Sequence, residues 1–420
     1  MEMEMEMEKL PFYSSEIQSN ERKGANKIQT CYNVMGAFIG VALLTLPYAL
    51  AKGGWLSLSF LLLIAAMSLY TGILLKRCMQ RYTQAKSYED IVGYAFGKKG
   101  MIISCILANL EIYLISTSLL VVEGETLHKL YPHFHIKLFG LIFRGKQLFI
   151  IATALIISPT MFLNNMGFVS YVTAIGLCAS VSIPVSLLGV GFSVADRGST
   201  FYQQQGRLLS IGGIPTSISL FLACFGGHAI VPSTFVCMKA KDEYTKVLII
   251  SFIINTVIYM ATAITGYVMY GNPTMLEITV NLPSRNISSK VATCASLIIP
   301  ISKYALCITP IANAIDNILP LKNKINRPTH VGYLIRTLLL TSTTIMACVF
   351  PYFEFLMASI GSVTVAGISL LVPCCCYLRI YGPHHDKMVE LIFIAGIIVF
   401  SIVTGFVGTY FSIHNLIKTM

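Results

Sequence analysis

The sequence predicts an all-α integral membrane protein of about 11 transmembrane helices, and three observations point to it. Of 420 residues, 55% are hydrophobic and only 12% carry charge, a balance outside the range of soluble domains. Apolar windows long enough to cross a bilayer recur along nearly the whole chain. They show no alternation of the membrane-barrel kind, and the joining segments are too short for a large soluble domain.

The first 29 residues open on a Met-Glu repeat and have neither the basic flank nor the apolar core of a signal peptide. They predict a disordered cytosolic tail, 1–29, with the first helix acting as its own insertion signal. A transmembrane domain, 30–412, follows, with windows at about 30–51, 55–75, 101–122, 147–163, 168–192, 214–238, 247–270, 291–315, 331–350, 355–377 and 390–412. Asn164 to Gly167 divides the fourth from the fifth. Residues 413–420 are left as a short non-cytosolic tail. Between windows two and three, Ser87 to Phe96 mixes apolar and acidic residues at helical spacing, which predicts a short interfacial helix or a packed cytosolic gate.

Lysine and arginine set the orientation. With the amino terminus cytosolic, 18 of the 30 fall on that side and 10 on the other, with Lys303 and Arg336 inside spans. The same topology puts the sequon Asn286-Ile287-Ser288 on the non-cytosolic side, as a candidate glycosylation site. The net charge of +11 then reflects loop anchoring in membrane lipid and gives no reason to expect a nucleic-acid partner. Arg336 has the place of a snorkelling side chain with no assigned role. The 12 cysteines lie almost wholly in apolar stretches and spell no disulfide framework. Cys374 to Cys376 suit helix-end packing better than palmitoylation. Three adjacent thiols cannot converge on a metal, so none is expected, nor any other cofactor.

Two windows carry backbone breakers at their centres, and they open the two halves of the chain. The first contains Gly36, Gly40, Val41, Ala42 and Pro47; the sixth contains Phe225, Gly226, Gly227, His228 and Pro232. Glycine frees the backbone and proline removes a donor. Each helix could therefore unwind at mid-membrane, with Pro47, Pro232 and also Pro310 as hinges. Spans one to five and six to ten could form a 5+5 inverted repeat plus one extra helix, with amide ends facing a carboxylate and carbonyl ends facing an amine or cation. Close helix packing through Gly36-x-x-x-Gly40 and ordinary proline kinks are the alternative.

The run Gly40-Val41-Ala42-Leu43-Leu44-Thr45-Leu46-Pro47-Tyr48-Ala49-Leu50, then Gly53-Gly54-Trp55, resembles the first-helix signature of vacuolar amino acid transporters in the amino acid/auxin permease family. Asn109 to Tyr113, Glu123 to Leu127, Gly227-His228-Ala229, Lys303 to Leu306 and Ile360-Gly361-Ser362 extend the resemblance over about residues 28–412. It implies an inverted-repeat secondary transporter with discontinuous helices one and six, moving neutral amino acids with protons across the vacuolar membrane. Ala42 departs from the pattern, since the family usually has a second glycine there. An added methyl group would narrow the unwound turn or the substrate range.

Ionisable groups at membrane depth are rare and line cavities. Glu111, Lys303 and His228 are therefore the candidates for proton coupling, against purely structural roles for each. Lys303 would stand beside the unwound part of span one, where an ammonium can take the place of a coupling cation. The spans lack the two-carboxylate, metal-ligand or nucleophile-and-base sets of a membrane enzyme. A plasma-membrane importer and an amino acid sensor without net transport share the same pocket features.

Overall fold

The computed structural model describes residues 25–138, 141–162, 166–195, 206–283, 286–318, 329–382 and 388–419. Most of the expected tail, residues 1–24, and the His384-His385 pair lie outside the described residues. Among the described residues, nine helices are long and apolar enough to cross a membrane, and a bent pair, Lys27–Phe38 with Val41–Gly53, makes a tenth. The fourth window is the shorter apolar helix Gly145–Met161. At 1.5 Å per residue it covers roughly 25 Å of a hydrocarbon layer of about 30 Å. Arg336 meets its end, donating from Nη1 to the Met161 carbonyl at 2.7 Å. That contact replaces the role-free arginine of the sequence reading.

In chain order, span one is Lys27–Phe38 plus Leu46–Gly53, joined by a tight turn over Val41–Thr45. Span two is Ser57–Arg81 and span three lies in Tyr88–Leu130. A two-stranded antiparallel hairpin, His135–Leu138 with Leu141–Arg144, leads to span four, Gly145–Ile157, which tightens over Ser158–Phe162. Span five is Met166–Ala195, and span six is Ile214–Ala223 plus Val231–Cys237. Spans seven to nine are Tyr244–Tyr270, Ile287–Ile318 and Thr329–Val349. Span ten runs from Phe353 to Tyr381 through a wide π turn at Ile360–Leu371, and span eleven is Met388–Thr419. The last helix thus continues through most of the expected carboxy-terminal tail.

The segment expected as an interfacial helix is a helix of its own, packed rather than surface-lying. Ser87 caps it in a reciprocal box with Asp90. Gly97, at φ 70°, ψ −168°, divides it from span three, a conformation that a side chain would strain. Tyr88, Ile91, Val92 and Ala95 are buried, and the Tyr88 hydroxyl donates to the Ile368 carbonyl at 2.7 Å.

Spans five and eight pack along one another, and span eight also lies on span three. Lipid is as apolar as leucine, so close backbone approach at small residues holds such helices together. Gly361 of span ten fits against the Ser219 backbone of span six, and a Cβ on Gly408 of span eleven would lie 2.7 Å from Cβ of Ser362. At one end, Ala25 joins the close of span six in a parallel bridge. Its amide donates to Cys237 O at 2.8 Å and its carbonyl accepts from Lys239 at 3.1 Å, with Lys27 and Glu243 paired beside it at 2.5 Å. Residues 25–29 are therefore structured rather than part of a disordered tail.

Candidate functional site

Both expected breaks are present, and they are built alike. Each first half-helix stops, a tight turn follows, and the second half-helix has proline in its first turn, Pro47 in one and Pro232 in the other. Proline is favoured there because the first amides of a helix have no partner within it. Pro47 and Pro232 are thus helix starters at the break, whereas Pro310, like Pro300, lies inside span eight.

Break one opens at Gly40, which is extended at φ −139°, ψ −163°. Lys303 of span eight reaches it: Nζ donates to the Gly36 carbonyl at 3.3 Å and to the Ile39 carbonyl. A Cβ on Gly40 would lie 3.8 Å from that nitrogen. Carbonyls at a helix carboxy end carry partial negative charge, and a half-buried ammonium answers it. The Val41 and Ala42 side chains are buried behind the turn, at 4% and 7% exposure.

Break two opens at Gly227, whose φ of 146° excludes an ordinary side chain. A Cβ there would also come 3.3 Å from the Phe38 ring and 3.5 Å from the Ala37 carbonyl, so the two breaks touch. The freed Cys224 carbonyl accepts from the Tyr259 hydroxyl at 2.9 Å. Phe225 is fully buried, its ring edge-on to Tyr259 at 5.4 Å between centroids. Glu111 of span three, 7% exposed, presses on this break, and a Cβ on Gly226 would lie 2.8 Å from Oε1. Lys303 and Glu111 form no ion pair with each other; each attends a different break.

His228 packs edge-on against Phe38 at 5.7 Å between ring centroids and reaches span two with its far nitrogen. Its Nε2 lies 2.9 Å from the Ser68 carbonyl and 3.1 Å from Thr71 Oγ1. The carbonyl can only accept, so Nε2 carries the proton and pins span six to span two. Asn286 precedes the first turn of span eight, where its carbonyl accepts from the Lys290 amide at 3.1 Å; the residue is half-buried. Cys374 and Cys376 are buried, in keeping with packing.

Sequence reasoning missed Tyr259 and the span-two partners of His228. A tyrosine at mid-span was the available signal, because a buried hydroxyl must find an acceptor. It also missed a cavity of about 190 Å³ lined by Glu125, Leu276, Tyr352, Glu354 and Asn415 among others. The Tyr48 hydroxyl donates to Glu354 at 2.7 Å, and Lys146 pairs with Glu125 at 2.6 Å. The cavity shares no lining residue with either break.

Two broken helices crossing at mid-bundle, with a lysine at one break and a glutamate at the other, define a membrane transporter of the inverted-repeat class. The fold comparison agrees: a Na+-coupled sialic acid symporter in a substrate-bound outward-open state superposes with a TM-score of 0.53 at 11% identity, over 91% of this chain and 87% of the other. The sequence profile of the family described as transmembrane amino acid transporter protein matches residues 23–417. The chain belongs to that family, and it is an amino acid transporter rather than an enzyme. It is 38% identical to amino acid transporter AVT1I of Arabidopsis thaliana over 407 residues, 97% of this chain and 99% of the relative. To AVT1J of the same plant it is 40% identical over 392 residues, 92% and 90% of the two chains.

Proposed function

We propose that the protein carries neutral amino acids across the vacuolar membrane by alternating access, coupled to protons, with its amino terminus in the cytosol. The observation that carries the reading is Lys303 Nζ on the Gly36 and Ile39 carbonyls. A bound cation there is replaced by an ammonium that belongs to the protein and can release a proton when the site opens to water. The substrate lies between the breaks: its carboxylate meets the first amides of the turns at Val41–Ala42 and His228–Ala229, and its amine meets freed carbonyls and Glu111. The aliphatic surroundings favour neutral side chains. The relatives named as amino acid transporters support the substrate class, and the first-helix signature supports the compartment. Asn286 on the luminal side accords with this topology.

The test is radiolabelled amino acid flux into proteoliposomes under an imposed pH gradient without sodium. Wild-type flux is expected to follow the gradient, and Lys303→Ala to lose that dependence. Flux indifferent to the gradient in wild type would overturn the coupling, and no flux for a broad panel in folded protein would overturn the transport reading.

A further inference from the structure

Between spans seven and eight the chain folds back into the bundle. Thr274, Glu277, Ile278 and Thr279 are all buried. The short helix Ile278–Asn281 lies against span three, span eight and the turn Val41–Thr45 of break one. Ile278 and Pro47 meet at Gly266, where a Cβ would lie 3.1 Å from Ile278 Cδ1. Residues 274–282 therefore form a lid on the broken first span.

The fastening is polar and comes from span three. Lys129 Nζ donates to the carbonyls of Thr279 at 3.0 Å, Val280 and Leu282 at 3.4 Å, one acceptor for each of its three donors. Glu277 Oε1 bonds to the Thr279 hydroxyl and lies 2.7 Å from Thr126 Oγ1. Glu277 Oε2 is buried without a partner, and so is Oε2 of Glu123, one turn before Thr126; the two carboxyls repel one another when ionised. Two neighbouring buried carboxyls cannot both ionise cheaply. One added proton removes a charge and has a place to go. A neutral Glu277 can donate to Thr126, whose own proton then serves the Val122 carbonyl at 3.0 Å.

We propose that Glu277, buried beside Thr126 one helical turn from Glu123, forms a proton-binding latch that holds the 274–282 lid closed over break one and releases it when Glu277 ionises. The proposal rests on the transporter fold and does not need Lys303 as the coupling group. The charged and titratable groups of the neighbouring elements at this end are Glu123, Glu125, His128 and Lys129 on span three, Tyr267 and Tyr270 at the end of span seven, and Lys290 at the start of span eight. The turn Val41–Thr45 contributes none. Lys129 is occupied by lid carbonyls and Glu125 by Lys146. The cavity is lined by Leu276 and Glu125, the residues before Glu277 and Thr126 in the chain.

Burial pushes Glu277, in the loop outside the spans, up to about 7, against the opposing bonds from Thr279 and Thr126. A closed lid thus keeps its proton to higher pH than a free carboxyl of ordinary value 4.5. Closure is favoured fully below that value and lost as pH rises through about 7.

The test is hydrogen exchange of the full-length protein in nanodiscs from pH 5.5 to 8, with labelling times scaled for intrinsic exchange. Peptides over 272–283 are expected to lose protection by roughly tenfold or more as pH rises, while the core of span eight holds. Glu277→Gln with Glu123→Gln should stay protected throughout. If the double variant melts early, Glu277→Gln alone, with Glu123 left in place, should flatten the profile. A flat wild-type profile, or the same loss of protection in the glutamine variants, overturns the latch.

Discussion

Break one and break two use the same backbone plan and opposite chemistry. Each leaves a carbonyl end exposed at mid-bundle. Break one answers it with the Lys303 ammonium, break two with the neutral Tyr259 hydroxyl. The ionisable group near break two is the Glu111 carboxyl against Gly226. The contrast teaches that the unwound backbone supplies the general site, while side chains from spans three, seven and eight make its two poles different.

The largest effect that would sharpen this contrast is expected from Lys303→Met, which keeps length and removes the donor. Losing charge-assisted bonds worth about 3 kcal/mol should cut flux on the order of 100-fold. Flux within a few-fold of wild type would mean that break one needs no cation.

Next comes Gly227→Ala, which forces a side chain into a left-handed conformation beside Phe38 and should cost about 2 kcal/mol in thermal unfolding. Gly36→Ala is the control. It has open space around it and sits in a helix, where alanine should gain about 0.5–1 kcal/mol. Equal losses at both positions would refute the distinction between a strained break and an ordinary turn of helix.

Tyr259→Phe should cost about 1 kcal/mol, the worth of one neutral hydrogen bond, with a smaller fall in flux than Lys303→Met. A loss as large as the lysine's would make the two poles equivalent. The smallest effect belongs to Lys27–Glu243, which joins the start of broken span one to the residue before span seven. The bond from Lys27 holds the Glu243 carboxyl below its ordinary 4.5. Its contribution is therefore present above that value and fades as pH falls through the lower one. Because the pair is exposed, 1 M salt should erase the difference between wild type and Glu243→Gln in exchange over residues 25–31.

Much of this was legible before any coordinates. Run length and charge placed the spans, and glycine with proline marked both breaks, because those residues act through local backbone geometry. Lys303 stood out since a charge at membrane depth must find partners. What the sequence hid depends on distant contacts. Nothing near His228 reveals Ser68, and nothing near Cys224 reveals Tyr259. The lid reads as a polar connection around Asn272-Pro273, since a four-residue helix has no period to detect. Its burial comes from spans three and eight and from break one.

The bridge between Ala25 and the end of span six has a mechanical corollary. It is stitched by main-chain atoms, so no side-chain truncation unpicks it, and separating the two strands means unzipping two links of about 1 kcal/mol each. Ala25→Pro strips the donor from one link. It should act as a loosened tether on the swing of both broken helices while altering neither pole of the crossing between them.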